Sequence, residues 1–450
     1  MLAARSFQDI IPIGCGGKPA SKNRMNQELS DFAARLRGAI SSGGRCFVNT
    51  PTGQGSDEAL PSRRQGMDFN SLALELFALQ FQHNAAYQKI CQARSLTPET
   101  VEDCTQIPAV PTTAFKELEL SCIPPEERTA VFHSSGTTEQ KPSRHFHSVE
   151  SLNVYETSLL PWFLANVWPD LRSTIYDLRL ICLTPPPEQA RHSSLVHMFE
   201  TVRSRVCRNA DRSFFGTVAA DGSWVLNDDA VFAALNSSLV TRHSSLILGT
   251  AFSFVHLLDD LGKRGRRFRL PPGSRVMETG GYKNRSRTMP KEELRALITE
   301  RLGVKPENII CEYGMSELSS QAYDSELERR SPTRRDPVGV QALACSSGTR
   351  KRELQHAGSE TGAPSVALHF HFPPWARVQI VSSETGREVA DGETGLIRVF
   401  DLANVFSVMA VQTEDLAVRR GDGFELIGRA QMAEPRGCSL MMEGSASSLP

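Results

Sequence analysis

The chain has 450 residues, of which 40% are hydrophobic and 22% charged, a composition typical of a globular protein with a large core and about two structural units. The formal net charge is −1, so the overall charge gives no reason to expect a nucleic-acid partner. The longest apolar stretch, 246–258, contains His256 and is too short to cross a bilayer, so no membrane span is expected.

The ten cysteines are scattered, and none of them forms a CxxC pair. That distribution argues against a zinc site and against a disulfide framework. It suits a reducing compartment, so the sequence predicts a cytoplasmic protein.

The first half of the chain predicts an α/β domain after a poorly patterned start. Residues 1–65 are interpreted as a variable N-terminal lead-in, and 68–95 place apolar side chains at near-helical spacing. Apolar strand candidates follow, at 178–183, 244–249 and 308–313. They alternate with amphipathic segments such as 290–302, which predicts a largely parallel sheet within an α/β core at 66–330.

The second half changes character. Residues 325–366 are polar and rich in Ser, Arg and Gly, which is typical of a long connection or an insertion. Alternating strands then begin near Arg377, and this predicts a β-rich subdomain within 331–429. Residues 430–450 form a short tail that carries Cys438.

One hydroxyl-rich loop has the composition of a polyphosphate site. Backbone N–H groups, hydroxyls and one cation can all be offered to phosphate oxygens, and a glycine lets the backbone approach closely. The residues in question are Ser134, Ser135, Gly136, Thr137, Thr138 and Lys141. The loop lacks the GxxxxGK[ST] spacing, so it is not a Walker A motif and does not indicate a P-loop ATPase.

A second segment, 312–317, follows a predicted strand and includes Tyr313, Gly314, Ser316 and Glu317. The carboxylate of Glu317 is a suitable ligand for magnesium. Together, the two segments resemble the ATP-handling motifs of acyl-adenylate-forming enzymes. Further runs, at 107–116, 248–252 and 436–440, resemble the LuxE-type acyl-protein synthetases within that superfamily, and the similarity covers about residues 65–442.

The resemblance implies a fold and a set of ATP-binding residues. The expected fold is the large N-terminal domain of an adenylate-forming enzyme with a β-rich subdomain. Gly280 and Gly281 resemble the segment that lies along adenine, Asp415 resembles the residue that binds the ribose hydroxyls, and Arg429 resembles the hinge residue. Lys141 would neutralise the leaving pyrophosphate, and Glu317 would hold Mg²⁺, so both are expected to be catalytic.

Two histidines are candidates for the acyl site. His192 and His197 lie at about the chain position where relatives have a histidine beside the acyl group, and the spacing does not choose between them. Packing in the core would equally explain Leu195, Met198 and Phe199 around them.

The end of the sequence departs from the acyl-CoA-forming relatives. Only residues 430–450 follow Arg429, whereas a compact lid domain needs roughly 100 residues, so that domain is expected to be truncated. No lysine follows Lys351, so Lys141, Lys283 or a nearby arginine would have to replace the lysine of the lid. Cys438 lies in an Arg-Gly-Cys-Ser context that resembles the acyl-accepting cysteine of LuxE-type relatives, and the neighbouring Arg436 favours the thiolate.

These observations predict an enzyme that uses ATP and Mg²⁺ to convert a carboxylic acid, expected to be a fatty acid, into an acyl adenylate. The acyl group would pass to Cys438 and then to a partner, such as an acyl-CoA reductase-like protein or an acyltransferase. Two alternatives remain open: an acyl- or aryl-CoA ligase, and a nucleotide-binding subunit without catalytic activity.

Overall fold

The computed structural model describes most of the chain, namely residues 22–42, 47–48, 67–134, 141–169, 178–207, 213–280, 289–324 and 369–430. Within them the helices are α1 Lys22–Ser41, α2 Phe69–His83, α3 Ala85–Ala93, α4 Ala114–Glu117, α5 Val149–Val167, α6 Ser194–Val206, α7 Asp228–Thr241, α8 Ala251–Lys263 and α9 Lys291–Leu302. The strands are β1 Phe47–Val48, β2 Met67–Asp68, β3 Val110–Pro111, β4 Ala130–His133, β5 Arg144–His147, β6 Arg179–Cys182, β7 Gly216–Val218, β8 Trp224–Leu226, β9 Ser245–Thr250, β10 Arg275–Thr279, β11 Ile309–Tyr313, β12 Ala322–Tyr323, β13 Ala376–Val381, β14 Thr394–Asp401, β15 Ala410–Arg420 and β16 Gly423–Arg429.

The first sheet has the strand order β12-β11-β10-β9-β6, and all its pairs are parallel except β11 with β12. Successive side chains of a strand point to opposite faces. On β9, Ile247 accordingly packs with α7, α8 and α9, whereas Leu246 and Leu248 pack with α5 and α6. Burial on both faces explains the continuous apolar runs of these strands, and the predicted α/β fold is confirmed.

The second sheet is antiparallel, in the order β13-β14-β15-β16, and β3 adds a parallel pairing to β15. Its apolar face shares one core with α1, α2 and α3. The β-rich sheet therefore draws a strand and much of its core from residues that precede the first sheet. The limits of 331–429 as a subdomain remain a prediction.

Two helical features differ from the sequence expectation. Residues 68–95 form two helices, α2 and α3, because the buried Asn84 interrupts them and caps α3 by accepting a hydrogen bond from Tyr87 N at 3.1 Å. The Asn84 amide also lies 3.4 Å from Ser407 O, next to the second sheet. Helix α1 was not predicted, although its buried Leu29 and Phe32 contribute to the core.

Candidate active site

The two sheets meet at Tyr313 and Asp415. Tyr313 is the last residue of β11, and Asp415 lies within β15. The Tyr313 hydroxyl donates a hydrogen bond of 2.8 Å to Asp415 Oδ2. A carboxylate has acceptor oxygens for both hydroxyls of a ribose diol, so the position suits the role predicted for Asp415.

Arg429 completes this group. It is the residue opposite Asp415 in the pairing of β15 with β16, and its Nε lies 3.6 Å from Asp415 Oδ1. Its Nη2 donates to Glu414 Oε2 at 2.6 Å. The Asp415 and Arg429 side chains are 23% and 18% exposed, so the group borders solvent. Tyr313, Asp415 and Arg429, which the sequence assigned to nucleotide binding from separate segments, thus lie together.

Three aromatic rings surround Tyr313. The centroids of Phe370, Phe372 and Phe424 lie 6.1, 6.3 and 5.3 Å from the centroid of the Tyr313 ring. These edge contacts hold the phenol in one orientation. The sequence had not marked these phenylalanines, because they belong to strand patterns that also suit plain core packing.

Gly280 lies at the carboxyl end of β10, where ligands bind in open parallel sheets. Its φ of +80° favours glycine, and no heavy atom lies within 4 Å of the place where a Cβ would stand. The pairing of β10 with β11 sets Thr279 opposite Glu312, immediately before Tyr313. Gly280 therefore lies near the Tyr313 segment, as a residue lying along a base would require.

Glu312 and Gly314 determine how the side chains of the second motif fit together. Glu312 is buried and accepts a hydrogen bond from Thr279 Oγ1. Burial raises the pKa of the Glu312 carboxyl to about 7. A Cβ at Gly314 would collide with Glu312 Oε1, so any other residue there would force the Glu312 carboxyl to move.

Ser134 and Ser143 form the stem of the predicted phosphate loop, and this stem contacts the second motif, residues 312–317. Ser143 N donates to Ser134 Oγ at 3.0 Å, and Ser134 N donates to Ser143 Oγ at 3.3 Å. Ser143 Oγ lies 3.4 Å from Ser316 Oγ, and Ser316 donates to Glu317 Oε2 at 3.0 Å. A short chain of hydroxyl groups thus links Ser134 to Glu317.

Glu317 is the residue to which the sequence assigns a metal. Its side chain is buried, and no group of three or more His, Cys, Asp or Glu side chains suited to a metal occurs within the described ranges. Mg²⁺ that accompanies a nucleotide uses one or two carboxylates together with the phosphates. A single carboxylate linked to the stem of the predicted phosphate loop fits that requirement.

Lys141 lies at the carboxyl-terminal end of the predicted phosphate loop. Its Nζ is 3.3 Å from Glu117 Oε2, at the end of α4, and its side chain is 52% exposed. An exposed ion pair of this kind contributes about 0–1 kcal/mol, so a phosphate can compete for the cation.

The two candidate histidines occupy different environments. His192 is exposed and stacks on His133, which precedes Ser134, with ring centroids 4.5 Å apart; its Nδ1 donates to Val131 O at 3.0 Å. His197 is on α6, where its Nε2 lies 3.5 Å from Glu156 Oε1. Its ring contacts those of Phe132 and Tyr155, at centroid distances of 5.3 and 5.6 Å. His192 is therefore next to the loop stem, whereas His197 belongs to a group of aromatic rings with Phe132 and Tyr155.

Three buried polar residues near Glu317 were not marked by the sequence. His145 Nδ1 donates to Ser316 O at 2.8 Å, and burial lowers its pKa, which favours the neutral ring. Asn404 donates to Glu317 O at 2.9 Å, and Asp401 accepts hydrogen bonds from Ser319 and Ser320. Such residues carry no motif of their own, because only the fold brings them to the segment that they hold.

Several predicted site residues lie outside the described residues, and they are Ser135, Gly136, Thr137, Thr138, Gly281 and Cys438. The helices that the structure describes include none that is both long and apolar enough to span a membrane.

Comparisons with known proteins identify relatives and a fold. The chain matches the family model described as acyl-protein synthetase, LuxE, over residues 59–335. It is 21% identical to the long-chain-fatty-acid–luciferin-component ligases of Aliivibrio fischeri and Vibrio harveyi. Those alignments cover 83% and 81% of this chain, and 87% and 85% of the relatives.

Among solved structures, a 2-hydroxyisobutyryl-CoA ligase in the postadenylation state, in complex with 2-HIB-AMP, matches with a TM-score of 0.53 at 13% identity. The match covers 80% of this chain and 67% of that one. The same ligase in complex with 2-HIB-AMP and CoA in the thioesterification state gives a TM-score of 0.52 at 14% identity. These similarities establish the fold of the adenylate-forming ligases.

Proposed function

The chain belongs to the LuxE family of acyl-protein synthetases, and we propose that it activates a long-chain fatty acid with ATP and transfers the acyl group to its own Cys438. The two relatives named above act on long-chain fatty acids according to their names, which supports the substrate class. The acyl-enzyme then serves a partner, either an acyl-CoA reductase-like protein or an acyltransferase.

One observation carries this proposal: Asp415 and Glu317, the predicted ribose and magnesium ligands, are both hydrogen-bonded to residues at the end of β11 or just after it. Tyr313 bonds to Asp415 at 2.8 Å, and three residues further along the chain Ser316 connects the phosphate-loop stem to Glu317. Ribose, phosphates and metal would thus be held by residues around a single strand end, β11. A protein that binds ATP for adenylation needs that order of contacts.

In the first step the fatty-acid carboxylate attacks the α-phosphorus of ATP. The P–O bond to pyrophosphate breaks, and the acyl adenylate forms. Negative charge builds on the phosphate oxygens, so donors fixed before the reaction lower its barrier. Ser134 and the loop hydroxyls that follow it supply donors, Lys141 neutralises the departing pyrophosphate, and Asp415 holds the ribose.

Mg²⁺, when bound, would neutralise charge on the phosphates. Glu317 is the residue that would hold it. His192, at the stem of the loop, would orient the carboxylate for attack, with its imidazole fixed by the hydrogen bond from Nδ1 to Val131 O.

In the second step the Cys438 thiolate attacks the acyl carbonyl carbon. A thioester forms, AMP leaves with the bonding electron pair, and the thiol proton passes to solvent. Arg436 lies two residues away in the sequence and favours the thiolate. A thioester keeps the acyl group activated for transfer to a partner.

A reducing compartment suits this chemistry, because the acceptor thiol must stay free. The six cysteines that lie in described parts of the chain are all free: Cys91, Cys104, Cys122, Cys182, Cys207 and Cys311. This supports the cytoplasm as the location.

Intact-protein mass spectrometry tests the proposal. The protein is incubated with Mg-ATP and a set of fatty acids without CoA, and we expect a mass gain that hydroxylamine removes. Cys438→Ala should lose the adduct and keep pyrophosphate release, whereas the matched variant Cys122→Ala should keep both. Pyrophosphate release without an adduct on the unaltered protein would instead indicate transfer to CoA or another external acceptor.

A further inference from the structure

The segment Ser316–Ser320, which begins within the second motif, is polar except for Leu318, and all of its residues are buried. Burying hydroxyl and backbone polar groups is costly unless they are hydrogen-bonded, so the partners of this segment determine its position. We propose that Asn404, together with Asp401, is a positioning residue that fixes Glu317 for magnesium. This inference rests on the proposed function, because it concerns the metal used with ATP.

Asn404 contacts the backbone of Glu317 directly. Its Nδ2 donates to Glu317 O at 2.9 Å and to Val408 O at 3.1 Å, and its Oδ1 accepts from Ser319 Oγ at 2.7 Å. Asn404 is 1% exposed, so these hydrogen bonds are made away from water. The Asn404 side chain thus holds both Glu317, which carries the carboxylate, and Ser319.

Asp401 holds the end of the same segment. Its Oδ2 accepts from Ser319 N at 2.9 Å and from Ser320 N at 2.8 Å. Its Oδ1 accepts from Ser320 Oγ at 2.7 Å and from Ala403 N at 3.0 Å. A carboxylate that accepts four hydrogen bonds fixes two consecutive backbone amides of the segment.

The residues that hold the segment are themselves anchored. Gln80 Nε2 donates to Asn404 O at 2.7 Å, and Gln80 Oε1 accepts from Met409 N at 3.0 Å. Trp375 Nε1 donates to Ser158 Oγ, which lies 2.9 Å from Ser320 Oγ. Residues 401–409, called the 401–409 support below, therefore run from the end of β14 to the start of β15 and are hydrogen-bonded to α2 through Gln80.

The opposite side of the segment contacts Ser143, in the stem of the predicted phosphate loop, and His145. His145 donates to Ser316 O at 2.8 Å, and Ser143 lies 3.4 Å from Ser316 Oγ. The segment is thus held between the stem of the loop and the 401–409 support. Because partners beyond the ligands orient a metal site, replacing such a partner typically costs about 10–100-fold in metal affinity or activity.

Asn404→Ala tests the inference, with Asn166→Ala as the matched control. Asn166 is also a buried asparagine, and its amide donates to Trp162 O at 2.8 Å, away from Ser316–Ser320. In Asn404→Ala we expect the Mg²⁺ concentration that half-saturates ATP binding to rise about tenfold or more. ATP affinity in EDTA should stay unchanged, and Asn166→Ala should match the unaltered protein in both measurements.

Hydrogen exchange supplies a readout that does not depend on activity. The amides of Ser319 and Ser320 should exchange at least about tenfold faster in Asn404→Ala, because the segment opens locally. Should that variant not fold, Ser319→Ala removes only the hydrogen bond to Asn404 Oδ1 and should raise the Mg²⁺ requirement by a smaller factor. An unchanged Mg²⁺ requirement together with unchanged exchange would overturn the inference.

The same experiments separate the inference from the proposed function. Pyrophosphate release by the unaltered protein, with fatty acid and Mg-ATP, is measured first. Its absence would refute the acyl-activating role, while the binding and exchange measurements would still decide whether Asn404 positions the metal. If ATP binding by the unaltered protein does not depend on Mg²⁺, the positioning role is refuted.

Discussion

The hydroxyl group of Tyr313 donates a 2.8 Å hydrogen bond to the carboxylate of Asp415, which lies 102 residues later in the chain. The bond joins the end of a parallel strand to the middle of an antiparallel one, and so ties the two sheets together. It also fixes the direction in which the Asp415 carboxylate presents its remaining acceptor positions. The geometry of the proposed nucleotide site therefore depends on both sheets being correctly packed.

Asp415→Ala should weaken ATP binding by about tenfold or more, because a hydrogen bond to a charged group contributes about 1.5–3 kcal/mol. Tyr313→Phe keeps the ring packing and removes only the donor, so its effect should be smaller. Isothermal titration calorimetry measures both. Asp391→Ala is a control near the same sheet, where its carboxylate accepts from Gly421 N, and it should leave ATP affinity unchanged. Equal affinities for all three variants would remove the ribose assignment.

Glu312→Gln should stabilise the protein at high pH. Burial raises the pKa of Glu312 from its ordinary value of 4.5 to about 7, so the folded state binds its proton more tightly than the unfolded state does. The ionisation of Glu312 should therefore lower the stability of the unaltered protein as the pH rises from about 4.5 to about 7. Glutamine resembles the protonated acid, and the variant should gain about 2 kcal/mol at pH 8.

Chemical denaturation at pH 4.5 and pH 8 measures that difference. Most of the gain at pH 8 should disappear at pH 4.5, where Glu312 is protonated in the folded state and about half protonated in the unfolded state. A constant offset between the two proteins at both pH values would contradict the assignment. Glu384→Gln, at an exposed turn, is the control and should not alter the pH dependence.

The first sheet could be predicted from sequence because its strands are buried on both faces. Leu246, Ile247 and Leu248 form a continuous apolar run. Ile247 packs into the core on one face of the sheet, and Leu246 and Leu248 pack into the core on the other face. Tyr313 and Asp415 could be identified because they lie in motifs. The contact between them depends on the packing of two sheets, and no local pattern encodes it.

The features that the sequence missed depend on distant partners. The break at Asn84 involves Ser407, which is 323 residues away, and the support for Glu317 involves Asn404, which is 87 residues away. Helix α1 is a different case, because its buried Leu29, Phe32 and Leu36 have helical spacing that could have been recognised.

Lys141→Ala should slow adenylation by about tenfold or more, because one fixed cation is lost from the leaving pyrophosphate. Glu117→Gln removes only the exposed partner of Lys141, 3.3 Å away, and should change ATP affinity by less than about fivefold. ATP–pyrophosphate exchange compares the two variants. Equal losses in both would mean that the ion pair itself, rather than the lysine alone, supports catalysis.

Replacing His192 and His197 separately should decide which of them orients the carboxylate of the fatty acid. His192 is exposed at the loop stem and contacts His133 and Val131, so His192→Ala should raise the KM for the fatty acid with little change in stability. His197 packs against Phe132 and Tyr155, so His197→Ala should lower the free energy of unfolding by about 1–3 kcal/mol. Steady-state kinetics and denaturation curves measure the two effects. A raised KM for the acid in His197→Ala at an unchanged free energy of unfolding, together with an unchanged KM in His192→Ala, would transfer the carboxylate-orienting role to His197, because such a change in KM would not act through the fold.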